Sequence, residues 1–334
     1  MNSISKKACV AIIAGEASGD QHGAKLVKAM LKKNPALFFC GIGGPALRQA
    51  GVRILVEASE LTVVGITEVW SKIPVILKSM GTIKKLLKSL KPDLLILIDF
   101  PDFNLHVAAA AKKSGIPVLY YISPQIWAWR RGRVKRIGKL VDQMAVILPF
   151  EQPFYSEHNV AATFVGHPLL DSSLPTSEQV THAPSVERKH IDTIVSEHPG
   201  RMAVEVISDG VEAVFERSDV IVAASGTVTL QAAIHGTPMV IIYKVSPLSF
   251  WVGRALVRVP NIGLVNLVAG EQLVPEFVQN GASPGNIASA VEDMLKDSDK
   301  LNHLKRQLFG LRDVLGGTGA SDRVADIAFD MLKQ

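Results

Sequence analysis

The residues best suited to chemistry lie where apolar runs stop. Residues 94–98 (LLILI) form the continuous branched run that a parallel strand buried on both faces requires, and they lead into Asp99-Phe100-Pro101-Asp102-Phe103-Asn104. A carboxylate at the C-terminal end of such a strand sits where open α/β sheets hold their ligands. There Asp99 can take a proton from a sugar hydroxyl held within hydrogen-bond reach. Asp102 and Asn104 read instead as N-cap candidates for the helix that follows. A second stretch, residues 219–243 (DVIVAASGTVTLQAAIHGTPMVIIY), spells strand, turn, helix, strand. Its turn, Ser225-Gly226-Thr227, offers close backbone approach, two hydroxyls and free N–H groups at a helix N-terminus, a setting that stabilises an anion. Any strand-turn-helix unit also wants a small residue there, so the turn alone does not name a ligand.

The same device opens the chain: residues 8–14 form a strand, then GEASGD at 15–20, then a helix. The spacing is neither a dinucleotide fingerprint nor a P-loop. A sugar or phosphate neighbour is therefore expected, and not NAD or ATP. Residues 123–136 bring Trp127 and Trp129 together with Arg130, Arg131, Arg133, Lys135 and Arg136. That cluster suits phosphate binding, an interfacial surface or stacking on a sugar, while no nucleic-acid module surrounds it. Residues 61–91 interleave apolar side chains, among them Val64, Ile66 and Val69, with Lys72, Lys78, Lys84, Lys85 and Lys88. They read either as an amphipathic helix on an anionic membrane or as a core helix with a solvated lysine face. His167, between Gly166 and Pro168, is open between a ligand-facing and a structural role.

The elements that must position these groups alternate strand and helix along the whole chain. With 334 residues, 48% hydrophobic and 20% charged, there is enough apolar material for two ordinary cores. The reading is α/β, two Rossmann-like domains: 1–165, 166–315, and a helix at 316–334 packing back toward the first. The net charge of +5 and pI near 9.1 fit an anionic partner. Cys9 and Cys40 sit in apolar runs and read as small core residues of a reduced, cytoplasmic protein. The N-terminus reads as a first strand and not a signal peptide, and no apolar run approaches the roughly 20 residues that span a bilayer.

Taken in order, GEASGD at 15–20, IDFPDFN at 98–104, SPQIWAWR at 123–130, GHPLLD at 166–171, ASGTVTLQAA at 224–233 and NLVAG at 266–270 resemble the lipid-A-disaccharide synthase family over nearly the whole length. The resemblance implies an inverting glycosyltransferase of the GT-B architecture, two Rossmann-like domains facing a cleft. Such an enzyme moves 2,3-diacylglucosamine from UDP to 2,3-diacylglucosamine 1-phosphate in a β-1,6 linkage. It implies Asp99 as the base, with Glu16 and Ser18 in the catalytic wall. Asp20, Trp127, Arg130, Arg131 and Arg133 fall on the acceptor-phosphate or lipid side, with Val64, Ile66 and Val69 on the lipid surface. The donor falls to Ser225, Gly226, Thr227, Gln231, Asn266 and Glu276. No metal and no cofactor are implied, the UDP-sugar being a substrate; the location implied is cytoplasmic, peripheral on an anionic inner membrane, and a homodimer stays open. Two departures stand out. Gln231 occupies a place where such enzymes commonly carry a Glu for the ribose, and it can accept a hydrogen bond without a charge. Between Asp171 and Ala183 the family's first C-terminal-domain strand, with its Pro-Gly-Ser-Arg turn and helix, is not found. A non-catalytic glycolipid- or nucleotide-binding remnant and a UDP-sugar epimerase are the competing readings.

Overall fold

The computed structural model describes residues 8–61, 68–171, 193, 196–197, 211–247, 250, 253–254, 257 and 259–333. Val64 and Ile66 lie outside the described residues. The chain divides into two compact units. Met1–Asp171, Arg254–Arg258 and Leu315–Gln334 form the first; Ser172–Gly253 and Val259–Val314 form the second. Residues 166–171, expected in the second domain, pack with the first.

The first unit is built on seven parallel strands: β1 (Cys9–Ala14), β2 (Phe38–Gly43), β3 (Arg53–Glu57), β4 (Leu94–Ile98), β5 (Val118–Tyr121), β6 (Gln143–Val146) and β7 (Ala162–Phe164). They lie in the order β3-β2-β1-β4-β5-β6-β7. Successive side chains point to opposite faces, so the apolar runs feed two cores. Ala11, Ile13, Leu95, Leu97 and Tyr120 pack on one face with helix residues Ile83, Leu87, Val107 and Ala111. Val10, Ile12, Leu94, Ile96, Ile98 and Tyr121 pack on the other with Leu26, Val27 and Met30. Strand order runs outward in both directions from the β1–β4 pair, where Ala14 lies beside Ile98. That pair is the topological switch point, at whose C-terminal side open α/β sheets leave a crevice. The next residues along the two strands are Gly15-Glu16 and Asp99.

The helix expected over 61–91 runs over Glu68–Leu90 (α4 after α1, Ala17–Lys33, α2, Pro45–Gln49, and α3, Ala58–Leu61), with Pro74 inside it. Ile83 and Leu87 join the core, while Leu77 and Lys78, Lys84, Lys85 and Lys88 face outward.

The second unit carries β8 (Ile221–Ala224), β9 (Met239–Tyr243) and β10 (Glu276–Val278) in the parallel order β10-β9-β8. Leu230, Ala232, Met239, Val240, Val265 and Leu308 are buried there. Asn266 sits in a helix, Leu264–Ala269, and Glu276 opens β10.

The C-terminal helix, Ala320–Leu332, belongs to the first unit, where Val324, Ala325 and Ala328 enter the second-face core. Asp171 fastens its start. The carboxylate accepts the N–H groups of Gly319 (2.6 Å), Ala320 (3.0 Å) and Ser321 (2.9 Å) and the Ser321 hydroxyl (2.9 Å). These are the donors a helix N-terminus leaves without partners. Burial pushes the Asp171 carboxyl up, but the Ser321, Gly319 and Ala320 donors outweigh it and hold it below the usual range. Asp171→Ala is expected to lower stability by about 1–2 kcal/mol in urea unfolding. The parent loses this contribution as pH falls through the depressed carboxyl pKa, and the variant lacks that acid dependence. An unchanged urea midpoint would show that the cap contributes nothing.

Candidate functional site

The C-terminal ends of β1 and β4 carry the most constrained backbone in the first unit. Asp99 and Phe100 both adopt left-handed conformations, with φ of 44° and 48°. Asp tolerates this region because its short polar side chain bonds locally; a bulky residue pays about 1–2 kcal/mol. The surroundings hold the pair in place. The Asp99 carbonyl accepts the Tyr120 hydroxyl (2.6 Å) and the Asn104 side-chain amide (2.7 Å), and that amide also reaches the Ile98 carbonyl (3.2 Å). Asn104 is fully buried. The helix Pro101–Lys113 (α5) takes Phe100 as its N-cap residue, so neither Asn104 nor Asp102 caps it as the sequence suggested. Asp102 is exposed and pairs with Arg133 (2.5 Å) and Arg130 (3.8 Å). The Phe100 ring lies over Gly15, where an added Cβ would come within 2.5 Å of it. Gly15 is therefore required for close approach, whatever its backbone angles.

Three acidic residues meet at this edge, in different states. Burial, then the charge of Glu16, raise the Asp99 carboxyl to about 6 against the pull of the Phe100 N–H. Glu16 stands exposed at the N-cap of α1 and makes no capping bond. Ser18, two residues on, is exposed. Asp20, expected on the acceptor wall, is buried, and its carboxylate accepts the N–H groups of Gly44 (2.6 Å), Ala46 (2.9 Å) and Leu47 (3.2 Å). It caps α2, where free backbone donors compete successfully for it.

The loop after β5 also divides. Trp127, expected on a surface, is buried, its ring edge-on to Phe150 and its indole N–H on Glu151 (3.1 Å). Trp129 is 39% exposed, and the Arg130 guanidinium lies 4.4 Å over its ring. Arg131 donates to the Trp127 carbonyl (3.1 Å). The Val69 side chain lies outside the described residues. His167 is buried, its Nδ1 accepting the Leu169 N–H (3.3 Å); burial, then neighbouring His22, push its pKa down to about 3. It is a neutral structural residue.

In the second unit, Gly226 is the N-cap of the helix Thr227–Ile234, with extended backbone and open space where a Cβ would sit. Thr227 is exposed and Gln231 half-buried. The Ser225 hydroxyl donates to the Ile262 carbonyl (3.0 Å). Glu276 accepts the N–H groups of Ile262 (2.7 Å) and Gly263 (3.0 Å) and the Asn266 amide (2.7 Å). Asn266 is fully buried and turns its oxygen to the N–H groups of Leu273 (2.9 Å) and Val274 (3.1 Å). Asn266 and Glu276 thus form a frame that fixes residues 262–263 behind Ser225. Gly263 completes that frame, since a Cβ there would strike Ile241 at 2.3 Å. Sequence reasoning missed Tyr120, Gly263 and Glu151. Only the polar atoms of Tyr120 and Glu151, standing beside apolar runs, hinted at them.

Among known proteins, the sequence profile of the family described as lipid-A-disaccharide synthetase matches residues 10–200 and 172–315. The chain is 43% identical over 372 residues to the lipid-A-disaccharide synthase of Geobacter metallireducens, covering 97% of each chain. That alignment is longer than the 334-residue chain, so the relative carries residues this chain lacks. Among solved structures, Acinetobacter baumannii MurG superposes with a TM-score of 0.57 at 13% identity, covering 97% of this chain and 99% of that one. A UDP-N-acetylglucosamine 2-epimerase gives 0.56 at 13%, covering 98% and 96%. At such identities the likeness shows a shared two-unit α/β fold.

Removal of the Asn104 amide takes the side-chain donor from the Ile98 carbonyl and leaves the Asp99 carbonyl with Tyr120, so Asn104→Ala is expected to cost about 1–3 kcal/mol. Tyr120→Phe is expected to cost less, because Asn104 still serves the Asp99 carbonyl. Urea midpoints in the reverse order would contradict this account of the turn.

Proposed function

The chain belongs to the lipid-A-disaccharide synthetase family, glycosyltransferases of lipid A biosynthesis, and on that premise we propose that Asp99 is the general base of its reaction. The observation that carries the reading is a strand-end carboxylate at the switch point, with its backbone held from three sides and its carboxyl raised to about 6. The acceptor is 2,3-diacylglucosamine 1-phosphate and the donor UDP-2,3-diacylglucosamine. The acceptor's 6-oxygen bonds to C1 of the donor sugar, the C1–O bond to UDP breaks on the opposite face, and the hydroxyl proton passes to the Asp99 carboxylate. A base with a pKa near 6 is ionised at neutral pH yet more basic than an ordinary aspartate. Glu16 raises that basicity by its charge, and Ser18 shares its exposed turn.

In the second unit, the Ser225 hydroxyl and the N–H groups at Gly226 and Thr227 receive the leaving diphosphate, where a helix N-terminus favours negative charge. Gln231 lies one turn further along the helix as the ribose contact. Arg130 and Arg131 meet the acceptor phosphate, with Arg133 fixing their turn through Asp102. The acylated substrates are reached from an anionic bilayer, to which the lysine-rich outer face of α4 with Leu77 binds peripherally; among the described residues no helix is long and apolar enough to cross it. The two profile matches overlap at 172–200, which supports a shortfall of family sequence in that stretch. If the shortfall has removed turnover, a binding remnant remains, and the assays below separate the two.

UDP release from donor and lipid acceptor is expected in the parent, and Asp99→Asn is expected to reduce kcat by about 10²–10⁴-fold. In the parent, kcat/KM falls as pH drops through about 6, because protonation removes the base. Glu16→Gln moves that limb to lower pH by removing the charge that raises Asp99. No UDP release at any enzyme concentration would sink the active reading, and an acid limb unmoved by Glu16→Gln would sink the coupling. Ser225→Ala is expected to weaken UDP about tenfold, the loss of one net hydrogen bond, read by calorimetry; unchanged affinity would remove Ser225 from the donor site.

A further inference from the structure

One buried charge is used by nothing described so far. Glu151, in the short helix Glu151–Ser156 (α7 after α6, Val134–Leu140), is 1% exposed and still accepts three hydrogen bonds. Its Oε1 takes the Trp127 indole N–H (3.1 Å), and its Oε2 takes the backbone N–H groups of Leu148 (3.0 Å) and Ile147 (3.2 Å). The backbone bonds close the turn after β6. The indole bond is different in kind, because it reaches across to the loop after β5. Two more contacts join the same pieces: the Ser123 hydroxyl meets the Tyr155 hydroxyl at 2.6 Å, and Trp127 packs edge-on to Phe150 with ring centroids 4.8 Å apart.

A buried carboxylate is a poor way to gain stability, since desolvation offsets much of what its bonds return. Burial pushes the Glu151 carboxyl up to about 7, although its donors pull it back. What a carboxylate supplies instead is direction: two oxygens with fixed acceptor positions determine where Trp127 lies. From Trp127 the effect runs along the loop. Its carbonyl takes the Arg131 side chain, Trp129 carries the stacked Arg130, and Arg130 and Arg133 end on Asp102, three residues beyond Asp99.

We propose that Glu151 is a positioning residue for the lipid acceptor: through the Trp127 indole it sets residues 127–133, and with them the arginines, beside the strand end that carries Asp99. The proposal rests on the reading of that edge as the acceptor side. It assigns Glu151 no contact with substrate and no proton in the reaction.

The test measures binding of 2,3-diacylglucosamine 1-phosphate in detergent micelles, together with its KM and kcat, well below each variant's unfolding temperature. Trp127→Phe keeps a ring against Phe150 but removes the indole donor. Glu151→Gln keeps an acceptor for the indole but sets an amide against the Leu148 and Ile147 donors. Each is expected to raise the acceptor Kd and KM about tenfold, about 1.4 kcal/mol, with the UDP affinity and kcat within about twofold. The double variant is expected to be no weaker than the weaker single, because the two residues act as one unit. Acceptor Kd values within about twofold of the parent in both singles would overturn the proposal. So would effects that multiply in the double variant, or a loss confined to folded protein and kcat. If Glu151→Gln does not fold, Trp127→Phe carries the test. Asp99→Asn runs in parallel: full turnover there fails the base assignment and leaves the acceptor affinities to decide on Glu151. A parent that does not bind the acceptor fails both, and parent UDP release distinguishes that from a faulty lipid preparation.

Discussion

A parallel sheet buried on both faces gives its strands no room for polar chemistry except at their ends. In the first unit the middles of β1, β4 and β5 are almost wholly apolar and inaccessible, so every side chain there is committed to one of two cores. The residues that leave the sheet at the β1–β4 switch point are the first that are free to do anything else. The candidate site follows from that constraint. Gly15 lets Phe100 approach, Phe100 and Asp99 take left-handed backbone to turn the chain, and Tyr120 and Asn104 hold the turn from inside. The Tyr120 and Asn104 bonds also explain why polar groups are tolerated so deep in the core: each satisfies a backbone carbonyl that the strand no longer pairs.

A second regularity concerns the carboxylates. Asp20, Asp171, Glu276 and Glu151 each accept backbone N–H groups at a helix start or a turn. Asp99 and Glu16 differ from them. Glu16 occupies an N-cap position without capping, and the Asp99 carboxyl is raised by burial and by Glu16 against the pull of the Phe100 N–H. Buried carboxylates that serve as fasteners gain donors that offset their desolvation; a carboxylate held for proton transfer must lack most of them.

The second unit applies the same logic to a different ligand. Its turn at Ser225-Gly226-Thr227 is open, whereas the groups behind it are closed into a network through Ile262, Gly263, Asn266 and Glu276. The fold is shared by MurG and by a UDP-N-acetylglucosamine 2-epimerase at nearly the same similarity, so architecture does not choose between transfer and epimerisation. Sequence membership does, through 43% identity across nearly the full length of a lipid-A-disaccharide synthase.

The sequence by itself determined the alternation of strand and helix, the strand ends where Asp99 and Ser225 stand, and the family. All three are local or linear properties: continuous apolar runs, small-residue turns, and motifs in fixed order. The tertiary structure decided which of the polar residues near those turns remain free. Asp20 and Trp127 look available in the sequence because their partners lie 24 residues away, and Asp171 because its partners lie about 150 residues on. A hydrogen bond is a short-range interaction whose partner is chosen by the fold, so whether a carboxylate caps a helix or waits for a proton cannot be read from its neighbours in the chain.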